Sequence, residues 1–241
     1  MGLRDKARYL KMGLRNKANY LVQENEQSQT VDEIQIKDAL DLNEMNLSII
    51  LNNIDKLILF FKQLNTLEKE TISSGNLLNK EDLQGILKKI LQNLLNIFGV
   101  KMASFLLKNR QENYIISESL GLNEESRAKF LLSNTNEFLK DLIENHNFIF
   151  LDNYKKNPDI MKNLSSLDLS ASEFFLALPL VVSGKLFGIL NILKIKDNVL
   201  TTSSEHEIKL FFIISMYLSK FLQFLLSSNS FQESELDLLL A

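Results

Sequence analysis

The 241-residue sequence contains no cysteine. That absence excludes disulfides, thiolate metal sites, cysteine nucleophiles and thioether-linked groups together. Histidine is nearly as scarce. Only His146 and His206 are present, so a histidine-rich metal site is not expected. Two prolines and eight glycines favour long helices over a loop-rich fold. Long apolar runs are also missing. The most apolar stretch, Leu210 to Leu226, is interrupted by Lys220 and Gln223. It falls short of the roughly 20 apolar residues a spanning helix needs. Residues 1–20 stay charged throughout and lack the apolar segment of a secretory signal. A cytoplasmic setting fits these absences.

What is present is ordinary globular composition, 45% hydrophobic and 24% charged, enough for one real core with appendages. The net charge of −3 conceals an asymmetry. Residues 1–20 carry Arg4, Lys6, Arg8, Lys11, Arg15 and Lys17 against Asp5 alone. A basic arm on an acidic body invites a partner for the arm and makes the body a poor nucleic-acid surface. The arm also repeats: Gly2-Leu3-Arg4-Asp5-Lys6-Ala7-Arg8-Tyr9-Leu10 is echoed from Gly13 to Leu21. Eleven residues make close to three helical turns, so Leu3, Ala7, Leu10, Leu14, Ala18 and Leu21 form one stripe. Residues 1–22 therefore read as a basic amphipathic helix. It docks on a protein, on a membrane surface (giving a membrane-peripheral position), or back on its own acidic domain.

Residues 23–72 read as a polar linker followed by a long helix. Ile36, Leu40, Asn43, Leu47, Ile50, Ile54, Leu57, Phe61 and Leu64 alternate by fours and threes, the seam of a coiled coil. A homodimer through Leu47, Ile50, Ile54, Leu57, Phe61 and Leu64 is expected. Ile49, Leu51, Ile58, Leu59 and Phe60 widen the stripe, which keeps open a helix buried within one monomer.

Beyond Ser73-Ser74-Gly75, Asn79 is placed to cap a helix that runs to Phe98 and stops at Gly99. The period then changes. Strands are expected at Val100–Leu107, Tyr114–Glu118, Phe148–Leu151, Phe174–Val182 and Leu186–Ile195. Short helices are expected at Glu124–Leu132 and Glu137–Glu144, the second capped from Asn134. Ser183-Gly184-Lys185 signals a tight hairpin. Ser204 and Glu207 open a final helix to Leu226, and residues 227–241 form an acidic tail.

The hairpin Leu176-Ala177-Leu178-Pro179-Leu180-Val181-Val182-Ser183-Gly184-Lys185-Leu186-Phe187-Gly188-Ile189-Leu190 is similar to that of the GAF family, whose a-x-P-L strand meets a G-x-x-x-G-x-L strand. Gly184 suits positive φ in the turn, and Gly188 admits close backbone approach. With Thr201-Thr202-Ser203-Ser204-Glu205 leading into the last helix, residues 79–226 resemble a GAF domain. The resemblance implies an α+β fold, an antiparallel sheet with flanking helices, here preceded by the long coiled-coil-type helix. It implies roles in sensing cyclic nucleotides, tetrapyrroles or small metabolites, or in dimerisation with no ligand. The cyclic-nucleotide subgroup's N-K…F-x-x-x-D-E signature falls on Lys194, Ile195, Leu200, Ser204 and Glu205, where only the glutamate matches. Chromophore attachment and the family's methionine-sulfoxide reductase activity both require cysteine. No cofactor is called for.

No catalytic constellation emerges. His206, between Glu205 and Glu207, lacks the context of a kinase phosphoacceptor, and His146 reads as a helix-end residue. Gly184-Lys185 lacks phosphate-loop spacing. A ligand site, if used, is expected under residues 124–145, lined by Phe105, Ile116, Phe138, Leu142, Phe150 and Leu176. Tyr114 and Glu118 share the face of Ile116 by alternation. That lining suits an apolar or heterocyclic metabolite. Two readings stay open: a regulatory sensor of such a molecule, and a ligand-free dimerisation or scaffolding protein of a bacterial signalling or envelope-associated assembly.

Overall fold

A computed structural model describes residues 31–73, 79–152, 154–195 and 205–228. The basic arm, the Thr201–Ser204 lead and the tail beyond Ser228 lie outside the described residues. The chain divides into two compact units, Met1–Ile54 and Asp55–Ala241. In the first, the described residues form the N-terminal part of helix α1 (Val31–Ser73), whose remainder belongs to the second unit.

The second unit is built on a six-stranded sheet: β1 (Val100–Lys108), β2 (Asn113–Leu120), β3 (Leu131–Ser133), β4 (Ile149–Leu151), β5 (Phe175–Val182) and β6 (Lys185–Ile195). Their order is β3-β2-β1-β6-β5-β4, and every pair is antiparallel. The hairpin turn has φ of 50° at Ser183 and 76° at Gly184, the double positive φ that matches strand twist. At Gly188 a Cβ would stand 2.6 Å from the Leu106 carbonyl oxygen, so glycine is required for β6 to lie against β1.

One face of the sheet carries long helices. Helix α2 (Lys80–Phe98) opens with a capping box, Asn79 and Asp82 exchanging side-chain and backbone bonds of 2.9 and 3.1 Å. It closes on left-handed Gly99. Leu83, Ile86, Leu87, Ile90, Leu91, Leu94 and Phe98 recur by threes and fours and are all buried. Helix α7 (Glu205–Ser228) lies on β5, burying Leu210, Phe211, Ile214, Leu218, Phe221, Leu222, Leu225 and Leu226. A register shift at Leu180/Val181 leaves the Val181 N–H free of the ladder, and Ser219 Oγ accepts it at 2.9 Å. By length and composition Ile208–Ser227 could cross a membrane, but half of that window is buried inside the domain. The last part of α1 joins this layer through Phe60, Leu64 and Leu67.

The opposite face is roofed by short pieces: α3 (Glu124–Lys129), a turn at Glu137–Leu139, α4 (Lys140–Asn145), a turn at Tyr154–Lys156, α5 (Pro158–Met161) and α6 (Ser166–Ala171). They enclose a second core with Met102, Leu106, Phe175, Ala177, Ile189 and Leu193 of the sheet. Three elements differ from expectation. The expected helix to Leu132 ends at Lys129, because Leu131–Ser133 pairs with β2 as an edge strand. The turn at Glu137 has Asn136 before it with no side-chain cap, so the Asn134 capping box does not form. Helix α6 was not foreseen; Ser165 caps it by accepting the Asp168 N–H at 3.2 Å.

Candidate functional site

Along β1 the run Met102-Ala103-Ser104-Phe105-Leu106 alternates between the two faces, and Ser104 falls on the roofed one with Met102 and Leu106. Along β6, Asn191 falls between Ile189 and Leu193 on the same face. Register brings these polar residues together. Ser104 stands opposite Asn191 on one side and Ser119 on the other; Asn191 stands opposite Ala177, and Ala177 opposite Ile149. The centre of the roofed face is therefore a cross-strand row, Ser119-Ser104-Asn191-Ala177-Ile149.

Ser104 and Asn191 are both 0% exposed. The Ser104 Oγ and both Asn191 amide atoms, Oδ1 and Nδ2, have no hydrogen-bond partner among the described residues. Buried polar atoms are almost always paired, because leaving one unpaired costs about 1–3 kcal/mol. Three such atoms side by side on the two central strands form the most anomalous polar feature of the described core.

The roof above is fastened by polar contacts. Asn123 caps α3 by accepting the Ser126 N–H at 2.9 Å. Its own N–H donates to Asp168 Oδ2 at 3.1 Å, and its Nδ2 to Ser165 Oγ at 2.5 Å. The Ser165 N–H returns to Ser126 Oγ at 2.8 Å. Beside this clasp, the Asn163 amide mimics a strand: Oδ1 accepts the Leu131 N–H at 3.1 Å and Nδ2 donates to the Leu131 carbonyl at 2.8 Å. Tyr154 anchors the far end, bonded to Ser172 Oγ and to the Leu169 carbonyl at 3.1 Å. The clasp joins the segment after β2 to the segment before β5, across the roofed face.

Two phenols lie in this layer. Burial, reinforced by the negative charge of Glu112, pushes Tyr114 up to about 12. Burial also raises Tyr154, opposed by its bond to Ser172. Both are neutral near pH 7. Among the described residues no group of three or more acidic or histidine side chains is arranged to hold a metal.

The family model for the GAF domain matches residues 82–220, spanning the sheet, the clasp and most of both cores. The chain belongs to the GAF domain family. Solved structures agree on the fold. The GAF domain of a phosphoenolpyruvate-protein phosphotransferase from Coxiella burnetii superposes with a TM-score of 0.53 at 16% identity, covering 75% of this chain and 98% of that one. The corresponding Acinetobacter domain gives 0.50 at 17% identity, covering 72% and 96%. No curated protein matches the sequence. GAF domains are generally regulatory and non-catalytic modules of signalling proteins.

Within this GAF domain the expected lining divides between the two faces. Tyr114, Ile116 and Leu142 belong to the roofed core. Phe105, Phe150 and Leu176 pack in the helix-covered core instead. In each strand the inward residue is one position away: Leu106, Leu151 and Phe175 pack under the roof. Glu118 leaves the face of Ile116 for a different reason. Leu106 opposes Ile116 but Phe105 opposes Glu118, so Ser117 is an extra residue and the alternation resets. Nothing is described of the Phe138 side chain.

The expected dimer seam divides as well. Leu64 is 0% exposed inside the domain's own core and has no surface for a second chain. Leu57 and Phe61 are partly buried against that core, and Phe61 stacks on Tyr217 with ring centroids 4.0 Å apart. Ile50 is exposed and Ile54 half-buried, while nothing is described of the Leu47 side chain. Sequence reasoning missed Ser104 and Asn191. The signal was there: each is the one polar residue in an otherwise apolar run, Met102–Leu107 for Ser104 and Leu186–Leu193 for Asn191.

Proposed function

We propose that this chain is a non-catalytic sensory module that takes a small uncharged molecule under its roof and passes its occupancy to a partner. The observation that supports this reading is the unpaired Asn191 amide beside the unpaired Ser104 hydroxyl. Binding sites in apolar surroundings rely on a few convergent polar groups, and these are the groups present. Entry requires displacing the roof. Short helices fastened by side-chain bonds open locally at less expense than strand ladders do. Native mass spectrometry of the purified chain tests the proposal. A bound small molecule is expected, and it is expected to be lost in Asn191→Leu.

A second reading, ligand-free dimerisation or scaffolding, draws on the other side of the molecule. Ile58 and Leu59 of α1 and Ile213, Met216 and Phe224 of α7 are each more than two-fifths exposed. An apolar face of this kind suits a second copy of the chain. Homodimerisation is compatible with both readings, and so is a cytoplasmic bacterial setting with residues 1–22 on an acidic protein or membrane surface. Dimer mass with no bound molecule would favour the second reading alone.

A further inference from the structure

We infer that the Leu57–Leu67 stretch of α1 is an autoinhibitory contact: its docking on the domain and its pairing with α1 of a second copy compete for the same side chains. This rests on the dimerisation reading above. The heptad seam of residues 36–64 places Leu57 and Leu64 at position d and Phe61 at position a. In the domain Leu64 is 0% exposed, and Leu57 and Phe61 are partly buried against the same core. Phe60 and Leu67, the g residues that flank the seam, are buried there too. One side chain cannot fill a domain core and a hole on a facing helix at once. Pairing through the last heptads therefore requires this stretch to leave the domain.

The docked state carries a cost that pairing removes. Gln63 Oε1 is buried with no hydrogen-bond partner among the described residues. Gln63 falls at position c, which faces water in a coiled coil, so release hydrates the amide. The holds on this part of α1 include weak ones. Tyr217 Oη donates to Asn65 Oδ1 at 3.3 Å, and Lys89 meets Glu70 at 3.4 Å with both side chains more than half exposed. The Phe61–Tyr217 ring stack, with centroids 4.0 Å apart, is the stronger hold. In a pair of helices the a, d and g side chains are buried again, so α1 itself loses little. The domain's own side of the contact stays uncovered after release, and that keeps docking favoured.

The test uses the full chain and two substitutions outside the seam. Tyr217→Ala removes the ring stack and the bond to Asn65, which loosens docking. Gln63→Leu removes the orphaned amide, which tightens it. Dimer dissociation constants are measured by sedimentation equilibrium. Apparent affinity scales with the released fraction, and both chains must release, so a roughly threefold change in that fraction changes the constant about ninefold. The expected result is a shift of opposite sign in the two variants: a tighter dimer in Tyr217→Ala and a weaker one in Gln63→Leu. If Tyr217→Ala does not fold, the weaker dimer in Gln63→Leu decides alone. Dimers of equal strength in all three proteins would overturn the competition and leave the dimerisation reading standing. A weaker dimer in Tyr217→Ala would overturn it too, by placing Tyr217 in the interface itself. Monomers throughout, in the parent chain and in both variants, would end the dimerisation reading together with this one.

Discussion

The two faces of the sheet are covered in opposite ways. On one, α2 and α7 present long, regular apolar stripes, and the register-shifted Val181 N–H is satisfied by Ser219. On the other, four helices of six residues or fewer form the cover, two of them (α3 and α6) joined by the Asn123–Ser126–Ser165–Asp168 clasp, above an amide and a hydroxyl with no partners among the described residues. The first arrangement maximises buried apolar area and leaves little to rearrange. The second combines local fastening with unmet hydrogen-bonding capacity, as expected of a face that opens and binds. On the proposed reading, stability and recognition sit back to back on one set of strands.

Equivalent deletions on the two faces would sharpen that contrast most strongly. Leu87→Ala, in the middle of α2, is expected to lower unfolding free energy by about 2–5 kcal/mol in urea denaturation. Leu142→Ala, equally buried in α4, is expected to cost less, because a short fastened helix settles into the space more easily. Equal losses would mean that the faces do not differ in rigidity. Next in size is Asp168→Ala, which removes the acceptor for the Asn123 N–H and should cost about 1–3 kcal/mol. Hydrogen exchange should then accelerate across residues 123–171 while α2 and β1 keep their protection. Acceleration everywhere would break the comparison.

A smaller effect follows from Tyr114. Its folded value of about 12 lies above the ordinary 10.0, so the fold favours the neutral phenol. That contribution is fully present below pH 10 and is lost as pH rises toward 12, which thermal melts at alkaline pH would register. The smallest concerns His146, which ends α4 at φ 55° in the left-handed region. His146→Gly is expected to raise stability by a few tenths to about 1 kcal/mol, and a loss in the melt would show that the imidazole itself contributes.

The helix-covered face was the more legible in sequence. Asn79, the Leu83–Phe98 stripe and Gly99 announce α2, and Ser183-Gly184 announces the hairpin, because caps and turns are decided by neighbouring residues. The candidate site was less so. Phe105, Phe150 and Leu176 were expected under the roof, yet each lies one residue from the position that packs there. A period-2 strand rich in apolar residues does not announce which face is which. Glu118 was displaced by the extra residue at Ser117, a feature that only pairing with β1 creates. Edge strand β3 exists through its pairing with β2 and the bonds of distant Asn163, and a three-residue strand carries no periodicity of its own. Asn191 was visible as a polar interruption, but its isolation from every partner depends on the whole sheet.

The central claim is that Asn191 is retained for recognition at the expense of stability. Asn191→Leu, which replaces the unpaired amide with an apolar side chain of similar volume, tests it in one thermal melt of ligand-free protein. The account predicts a higher melting temperature, corresponding to about 1–3 kcal/mol recovered from the orphaned amide. A lower melting temperature in Asn191→Leu would mean that the amide is already satisfied in the unliganded fold, and would contradict the account.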